Sequence, residues 1–279
     1  MRLVVKLAGA LLEDAATVEL IARQISALAS QGHELLVVHG GGKIFTATLA
    51  RMGISSRFVN GLRVTDAETR DVAVMVLGGL LNKRVAAAIT RAGRPAIGLA
   101  ASDAGCFTAQ PFQHDEVAGG LGYVGYITGV NVAFLEALWR EGVVPVASCL
   151  GQGPEGELYN INADQMAAAC AELIGAERLI YLTDVAGVLD GEKVLRSLTG
   201  GEIESLILSH KVSGGMVVKL EACKRALCGG VAEVRIVGGT TPRGLLAAAN
   251  GMRFRGTRIK PMFSMANVAQ PREKALSAD

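Results

Sequence analysis

Residues 34–43 read Glu-Leu-Leu-Val-Val-His-Gly-Gly-Gly-Lys, and this stretch carries the features that decide the fold. Its Leu-Leu-Val-Val run is typical of a strand buried on both faces, as strands of parallel sheets are. Three glycines follow, before a predicted helix that ends near Gly53. Glycine costs backbone entropy on folding, and that cost is tolerated where a ligand must approach the main chain. We therefore predict an anion site at Gly40, Gly41 and Gly42, beside a helix N-terminus. A tight turn without a ligand is the alternative.

The same alternation of short β-branched runs and longer helical stretches continues along the chain. Strands are predicted at residues 3–7, 34–39, 96–99, 143–148, 178–183 and 233–237. Further helices are predicted at residues 14–31, 67–92, 132–141, 163–175, 216–229 and 243–249. Residues 58–65 and 152–161 are predicted hairpins, the first with its turn at Asn60-Gly61. Such alternation specifies an α/β fold with a mostly parallel sheet and helices on both faces.

The composition excludes several classes of protein. Twenty-eight Lys plus Arg against 26 Asp plus Glu give a net charge of +2, too even for a protein whose whole surface binds a polyanion. Aromatic residues make up 4% of the chain, too few for a platform that stacks nucleic-acid bases. No apolar run reaches the roughly 18 residues of a membrane helix. The five scattered cysteines are expected to be reduced thiols in a cytoplasmic protein.

Two lysines each lie beside a glycine-rich turn. Lys6 ends the first predicted strand and Gly9 follows it, which places a cation beside exposed backbone amides. Lys219 lies one turn inside the helix that follows Ser213-Gly214-Gly215. Either lysine alone could be a solvated strand end or a snorkelling side chain. Together they predict that a polyanion is held between two ammonium groups.

Arg63 and the segment 159–165 supply candidate substrate contacts. Arg63, on the first hairpin, could fork onto a substrate carboxylate, although a solvated arginine on a β-ribbon is the commoner arrangement. Asn162 directly precedes a predicted helix and is expected to cap it, with Asp164 in the favourable first turn. The functional alternative is that Asn160 binds substrate while Asp164 holds the two lysines.

The sequence lacks the residue patterns that other kinds of catalysis require. The four histidines show neither metal-ligand spacing nor a partnered nucleophile, so we predict no metal ligands. There is no Gly-x-Ser-x-Gly motif. An anion site built from glycine amides and lysines indicates phosphoryl transfer, in which catalysis is mostly positioning and charge neutralisation.

Taken together, these segments resemble the amino acid kinase family over nearly the whole chain, from Leu3 to about Ile259. The motifs that carry the resemblance are Lys6-Leu7-Ala8-Gly9, His39-Gly40-Gly41-Gly42, Asn60-Gly61-Leu62-Arg63-Val64-Thr65, Asn82-Lys83-Arg84, Asn160-Ile161-Asn162-Ala163-Asp164, residues 182–188, Ser213-Gly214-Gly215-Met216 with Lys219, and Gly256-Thr257-Arg258-Ile259. Each motif is weak alone, but all of them in this order are specific. The Asn-Gly-Leu-Arg-Val-Thr segment is typical of members that act on N-acetyl-L-glutamate.

The resemblance implies a three-layer αβα sandwich with a central, mostly parallel sheet of about eight strands. It implies an N-terminal lobe (residues 1–176) for acylamino acid binding and dimerisation, a C-terminal lobe (177–261) for the nucleotide, and a disordered tail (262–279). The implied reaction is ATP-dependent phosphorylation of the side-chain carboxylate of N-acetyl-L-glutamate, in arginine biosynthesis, with Mg²⁺ held mainly by the nucleotide phosphates. A glutamate-type side chain, with a pKa of about 4.3, is already an anionic nucleophile at neutral pH, so no general base is needed.

The resemblance also implies a role for each site residue. Lys6 and Lys219 stabilise the transferring phosphoryl group, and Asp164 orients both lysines. The acylamino acid is expected to contact Gly41, Gly42, Arg63 and Asn160, and phosphate to contact Gly9 and Gly40. The nucleotide is expected to contact Asp184, Val185, Gly187, Leu189, Lys211, Ser213 and Gly214. Neither nucleic acid nor a membrane is an implied partner.

Two features depart from the family pattern. Ala8 stands where the family usually has a glycine, which is harmless if its φ is negative but could otherwise crowd the phosphate path. The chain begins at the first strand, without the added N-terminal helix of arginine-inhibited hexamers, so we expect an arginine-insensitive homodimer.

Two alternatives stay open: a related kinase acting on another acylamino acid, such as carrier-linked aminoadipate, and a non-catalytic regulatory module of the same fold.

Overall fold

The computed structural model describes residues 1–59, 61–112 and 120–261 of the 279-residue chain. Asn60 of the first hairpin turn and the predicted tail at residues 262–279 lie outside the described residues. In chain order the strands are β1 (Arg2–Leu7), β2 (Glu34–His39), β3 (Phe58–Val59), β4 (Leu62–Arg63), β5 (Ala96–Leu99), β6 (Phe107–Pro111), β7 (Val124–Val130), β8 (Val144–Ser148), β9 (Leu150–Gln152), β10 (Leu158–Ile161), β11 (Arg178–Thr183), β12 (Leu189–Asp190), β13 (Lys193–Val194), β14 (Ser197–Thr199), β15 (Glu233–Gly238) and β16 (Gly256–Lys260). The α-helices are α1 (Ala15–Ser30), α2 (Gly42–Arg51), α3 (Ala67–Ala73), α4 (Asn82–Arg91), α5 (Val132–Arg140), α6 (Ala163–Leu173), α7 (Gly200–Leu208), α8 (Gly215–Cys228) and α9 (Gly244–Ala249).

Within the described residues, eight strands form one central sheet, in the order β14-β16-β15-β11-β1-β2-β8-β5. Neighbouring strands run parallel except for β15 and β16. All six strands predicted for a parallel sheet lie in it, which confirms the predicted architecture. Strands β14 and β16 were not predicted, because neither contains the continuous apolar run that indicates a buried strand.

Helices cover both faces of this sheet, as predicted. Successive side chains of β1 point to opposite faces, because strand side chains alternate. Val5 lies in an apolar cluster that includes residues of α1, α4 and α9. Val4 lies in a second cluster that includes residues of α2, α5, α6, α7 and α8. The predicted helix ends agree with the observed ones to within two residues.

The helix predicted at residues 67–92 is present, but its type changes in the middle. The structure has α3, then a π-helical segment at Val74–Leu81, then α4. The π segment contains Gly78 and Gly79, which weaken a helix, and π turns occur often near functional sites. In the part of the chain that is described, the continuous helix Ala67–Arg91 is long and apolar enough to cross a membrane, with a mean hydropathy of 1.6, but 56% of its apolar window is buried, as in a core helix.

A small closed barrel of β10, β7, β6 and β9 lies beside the sheet. The predicted hairpin at residues 152–161 is confirmed as the antiparallel pair β9–β10, and the one at 58–65 as β3–β4. The sequence analysis missed β6 and β7. It also missed α7, whose capping box of Thr199 and Glu202 is a sequence signal for a helix start.

Candidate active site

A cleft of about 230 Å³ opens at the carboxyl ends of β1 and β2. Ligands of open α/β sheets bind at this edge, outside the strand ends. The walls come from the end of β1, the glycine turn before α2, the hairpin β3–β4 and the start of α6. The lining residues include Lys6, Gly9, Gly40, Gly41, Gly42, Phe45, Phe58, Arg63, Asn160 and Asp164. Every residue predicted to contact the acylamino acid or phosphate therefore lies on one cleft.

Lys6, Asp164 and Lys219 form one ion-paired cluster, although they are far apart in the sequence. The Lys6 ammonium lies 2.6 Å from Asp164 Oδ1. The Lys219 ammonium donates to both carboxylate oxygens of Asp164, at 2.9 Å each. Lys6 is 6% exposed and Lys219 is 7% exposed, so neither is a solvated or snorkelling lysine. The three side chains predicted to act together are therefore in direct contact.

Local structure explains how these side chains meet. Asn162 caps α6, as predicted, by accepting hydrogen bonds from the amides of Asp164 at 3.0 Å and Gln165 at 3.1 Å. The Tyr181 hydroxyl, from β11, donates to the Asp164 carbonyl oxygen at 3.0 Å. The Lys219 ammonium lies 4.9 Å from the centre of the Tyr181 ring. The helix cap and the ion-paired cluster are thus two features of the same segment, not alternatives.

The cluster carries one uncompensated positive charge, because two ammonium groups share one carboxylate. Burial raises the pKa of Asp164, but the charges of Lys6 and Lys219 outweigh burial and hold this pKa below its usual range. Burial lowers the pKa of Lys219, and the neighbouring Lys6 charge lowers it further, against the attraction of Asp164. A buried excess charge is costly unless an anion compensates it. The arrangement is suited to binding a polyanion.

The glycine turn adds backbone donors beside this positive cluster. The amides of Gly9, Gly41 and Gly42 donate to no acceptor among the described residues. A Cβ on Gly9 would lie 2.8 Å from the Gly41 nitrogen, so this close approach of two chain segments requires glycine. The Gly40 amide differs, because it donates to the Leu7 carbonyl oxygen at 3.1 Å. Gly40 lines the cleft without offering a free amide.

Ala8, the departure from the family pattern, has φ −66° and ψ 141°, an extended conformation open to any residue. Its amide donates to the Leu182 carbonyl oxygen at 2.9 Å. Its side chain packs against the apolar cluster on the α1 side of the sheet. The methyl group is therefore not among the groups that line the cleft.

Arg63 is buried, at 7% exposure, and is not the solvated arginine of the alternative interpretation. Its guanidinium carbon lies 4.6 Å from the ring centre of Phe45 and 4.5 Å from that of Phe58. The guanidinium donates to Thr46 Oγ1 at 2.7 Å and also to Ser56 Oγ. Burial lowers the pKa of Arg63. No carboxylate of the described chain pairs with it, so the cation is available to an external carboxylate.

Asn160 lies on β10 with its side chain on the cleft. Its Nδ2 donates to Thr65 Oγ1 at 3.2 Å, which orients the amide group. Its backbone amide donates to the Tyr123 carbonyl oxygen at 2.8 Å. The side-chain carbonyl oxygen is left to accept from a ligand.

The residues predicted to bind the nucleotide form a separate region, here called the outer edge, at residues 184–189 and 211–214. Asp184, Leu189, Lys211, Ser213 and Gly214 are exposed. An ion pair of 3.0 Å joins Lys211 Nζ to Oδ2 of Asp190, the residue that follows the first segment. The Gly239 amide donates to the Thr183 carbonyl oxygen, so the first segment leaves the sheet at the carboxyl end of β11.

Glycine is required at two positions of the outer edge. Gly187 has φ 155°, and a Cβ there would lie 2.7 Å from Thr257 Oγ1. Gly214, with φ 55°, directly precedes α8, the helix that carries Lys219. Val185, next to Asp184, is half-buried.

Three residues of the site were missed by the sequence analysis. Phe58 pairs with Arg63 across the hairpin. A two-residue turn predicted at Asn60-Gly61 implies this register, so the sequence contained a signal for Phe58. Phe45 and Tyr181 reach the site through long-range packing, for which no sequence signal was available.

A family model described as the amino acid kinase family matches residues 1–238. The chain belongs to the amino acid kinase family. This membership confirms the predicted family and kinase class. The mostly parallel eight-stranded sheet agrees with the fold class that the resemblance implied.

Curated relatives match most of the chain. It is 51% identical over 248 residues to the acetylglutamate kinase of Koribacter versatilis (strain Ellin345), covering 88% of this chain and 93% of that protein. It is 45% identical over 260 residues to the acetylglutamate kinase of Solibacter usitatus (strain Ellin6076), covering 93% of this chain and 99% of that protein.

Solved structures share the fold. The N-acetylglutamate synthase from Neisseria gonorrhoeae, complexed with coenzyme A and N-acetyl-glutamate, superposes with a TM-score of 0.82 at 26% identity, covering 93% of this chain and 59% of that one. Carbamate kinase from Giardia lamblia, bound to AMP-PNP, superposes with a TM-score of 0.67 at 16% identity, covering 93% of this chain and 98% of that one. The second likeness shows the fold alone.

Proposed function

We propose that this protein transfers the γ-phosphoryl group of ATP to the side-chain carboxylate of N-acetyl-L-glutamate, a step of arginine biosynthesis. The relatives named acetylglutamate kinase support this acceptor. The observation that carries the proposal is the convergence of Lys6 and Lys219 on Asp164, on a cleft that also holds Arg63. The presence of both lysines and of Asp164 in one cluster favours a kinase over a non-catalytic module of the same fold.

The reaction depends on charge neutralisation more than on proton transfer. The acceptor carboxylate, with a pKa of about 4.3, is ionised at neutral pH and attacks the γ-phosphorus directly. As the new carboxylate–phosphorus bond forms, the bond from phosphorus to the ADP oxygen breaks. Lys6 and Lys219 neutralise the transferring oxygens from fixed positions, and the Gly9 amide adds a donor. Asp164 keeps the two ammonium groups in place.

The acceptor is held by other residues that line the same cleft. Arg63 binds its main-chain carboxylate, since the planar guanidinium matches a carboxylate in geometry and charge. Asn160 accepts from the acetamido N–H through its free oxygen. The amides of Gly41 and Gly42 complete the acceptor contacts, and Gly40 shapes the turn that carries them.

The nucleotide is assigned to the outer edge, at Asp184, Val185, Gly187, Leu189, Lys211, Ser213 and Gly214. Mg²⁺, which in this proposal is held mainly by the nucleotide phosphates, neutralises part of the phosphate charge when bound. The carboxylate that lines the cleft, Asp164, already accepts from two ammonium groups, which fits an ion carried by phosphates.

The proposal divides the chain at residue 176, with acceptor binding and dimerisation before it and nucleotide binding after it. A homodimer would bury exposed apolar side chains, such as Met75 (58% exposed) and Leu80 (41%) of the π-helical segment and Ile97 (38%) of the edge strand β5. A sizing run should return twice the monomer mass. The five free cysteines are consistent with a cytoplasmic protein.

The test is ADP release from ATP with N-acetyl-L-glutamate, with unacetylated glutamate and with N-acetyl-aminoadipate. The expected result is rapid release only with N-acetyl-L-glutamate, together with an acyl phosphate that hydroxylamine traps. Faster turnover of another acid would reassign the acceptor. Binding of both substrates without any trapped product would identify a non-catalytic module.

A further inference from the structure

His39 and Asn82 are two fully buried polar residues directly beneath the glycine turn. Each has 0% exposure, and neither lines the cleft. His39 ends β2 and immediately precedes Gly40, whereas Asn82 begins α4. The two side chains meet at 3.2 Å between Asn82 Nδ2 and His39 Nε2. Neither has a role in the proposed chemistry described so far.

The hydrogen bonds of this pair determine the tautomer of His39. The Nδ1 atom lies 2.9 Å from the Gly40 carbonyl oxygen. A carbonyl oxygen can only accept, so Nδ1 carries the proton. Nε2 must then accept, and it does so from Asn82 Nδ2. The orientation of the Asn82 amide follows independently, because its Nδ2 also donates to the Val146 carbonyl oxygen at 2.8 Å.

The proton on Nδ1 fixes the direction of one peptide group. In a planar trans peptide, the C=O of Gly40 and the N–H of Gly41 point in opposite directions. His39 draws the Gly40 oxygen into the protein core, so the Gly41 N–H faces the other way. Gly41 lines the cleft, and its amide has no acceptor among the described residues. The bond from the Gly40 amide to Leu7 holds the preceding peptide in place.

Asn82 is itself held tightly, by a neighbouring strand. A Cβ on Gly98 of β5 would overlap Asn82 Oδ1, so the absence of a side chain at Gly98 makes room for the amide. Burial keeps His39 neutral, because it lowers the pKa of the imidazole to about 4. A neutral ring with a fixed tautomer is the form that the hydrogen bonds require.

We propose that His39, held by Asn82, is a positioning residue that aims the Gly41 amide at the anion in the cleft. The inference rests on the proposed function, since it needs an anionic acceptor there. The competing explanation is that the buried pair only stabilises the fold.

Two substitutions at His39 separate these explanations. His39→Asn keeps a nitrogen donor at the place of imidazole Nδ1, whereas His39→Gln moves its polar atoms out toward Nε2 and loses that donor. We expect His39→Gln to lower kcat/KM for N-acetyl-L-glutamate, per folded molecule, on the order of 10- to 100-fold, as a misdirected oxyanion donor does. His39→Asn should recover most of that loss. The KM for ATP should stay within about threefold in both variants, because the outer edge is untouched.

The wild-type enzyme is assayed first with N-acetyl-L-glutamate. No turnover by the wild type would count against the proposed function and not against the positioning role. Equal kcat/KM for wild type and folded His39→Gln would overturn the positioning role alone. So would a His39→Asn variant that is as impaired as His39→Gln.

Two further measurements keep the inference testable if His39→Gln does not fold. Gly98→Ala should displace Asn82 and lower kcat/KM for N-acetyl-L-glutamate, although Gly98 is outside the cleft. Gly200→Ala is the matched control, since a Cβ there meets nothing within 4 Å. Nitrogen-15 NMR of the wild-type imidazoles should show His39 neutral with its proton on Nδ1. A proton on Nε2, or unchanged kcat/KM in Gly98→Ala, would overturn the inference.

Discussion

The cleft and the outer edge both lie at the carboxyl ends of the parallel strands, but they differ in how far their charged groups are buried. Lys6 and Arg63 line the cleft, and Lys219 contacts it through Asp164; all three side chains are nearly completely buried and held by hydrogen bonds or ion pairs. The outer edge is mostly exposed, and its Lys211 forms a surface ion pair with Asp190. Buried charges act at fixed positions in a medium of low polarity, whereas exposed charges are screened by water and salt.

This difference indicates that the cleft and the outer edge have different functions in the proposed reaction. Transition-state stabilisation requires charges that do not reorganise, and the cleft supplies them. Nucleotide binding and release require a surface that admits a large ligand, and the outer edge is accessible. We therefore expect substitutions in the cleft to change kcat strongly, and substitutions at the outer edge to change mainly the KM for ATP.

The largest effect is expected at the two clustered lysines. Lys219→Ala and Lys6→Ala should each lower kcat on the order of 10²-fold or more, because each removes a preorganised charge. Steady-state kinetics measure the effect. Lys224→Ala is the matched control, since Lys224 lies on the same helix, is half-buried and pairs only with Glu204 among the described residues. A cleft variant with an unchanged kcat would remove the distinction between the two regions.

The next effect is expected at Arg63. Arg63→Lys keeps the charge but loses the planar fork and its packing between Phe45 and Phe58. The KM for N-acetyl-L-glutamate should rise on the order of tenfold or more, because lysine does not replace a bidentate arginine. Arg57→Lys, on the exposed chain just before the hairpin, should behave as wild type. An unchanged KM in Arg63→Lys would show that the acceptor carboxylate binds elsewhere.

The third prediction concerns His39, which lies beneath the cleft. The quantity to be measured is the free energy of unfolding as a function of pH. Its pKa is about 4 in the folded protein, because of burial, against 6.5 in the unfolded chain. Between these values the unfolded state binds a proton that the folded state does not, so stability falls as the pH is lowered from 6.5 toward 4. The slope should approach about 1.4 kcal/mol per pH unit within this window.

Urea unfolding at several pH values checks this slope. His39→Asn, which has no titrating group, should flatten it. His210→Asn, at an exposed position beside the outer edge, is the matched control for the replacement of a histidine by asparagine. A slope that is the same in wild type and His39→Asn would show that another group is responsible.

The smallest effect is expected at the outer edge. Lys211→Ala removes an exposed charge that is proposed to contact the nucleotide. The KM for ATP should rise roughly 2- to 5-fold, since an exposed ionic contact is worth up to about 1 kcal/mol. Its kcat should stay close to that of the wild type. A loss of kcat as large as that of Lys219→Ala would mean that the outer edge takes part in the chemical step.

The features of the site that could be predicted from the sequence are those that depend on a few consecutive residues. A buried run followed by three glycines predicted the turn at Gly40, and Lys6 at a strand end placed an ammonium group at the carboxyl edge. Asn162 before a helix predicted a cap, and the structure has it. Each of these follows from the chemistry of a few consecutive residues.

The parts that were not readable depend on contacts between distant segments. Phe45 packs on Arg63 only because α2 lies against the hairpin β3–β4. β6 and β7 pair across a chain reversal that a short window does not reveal, and the π-helical turn forms where Leu81 packs against Gly41. His39 had no metal partner and no nucleophile beside it, so its link to Asn82 became visible only in three dimensions.

The central claim is that Lys6 and Lys219 act as one unit around Asp164, and a double-mutant cycle on kcat tests it most directly. If the lysines share one carboxylate, removing either one lets Asp164 draw the other away from the phosphoryl group. The double variant Lys6→Ala/Lys219→Ala should then lose far less than the product of the two single losses, as residues that act together do. A loss equal to that product would show two independent lysines and would contradict the account.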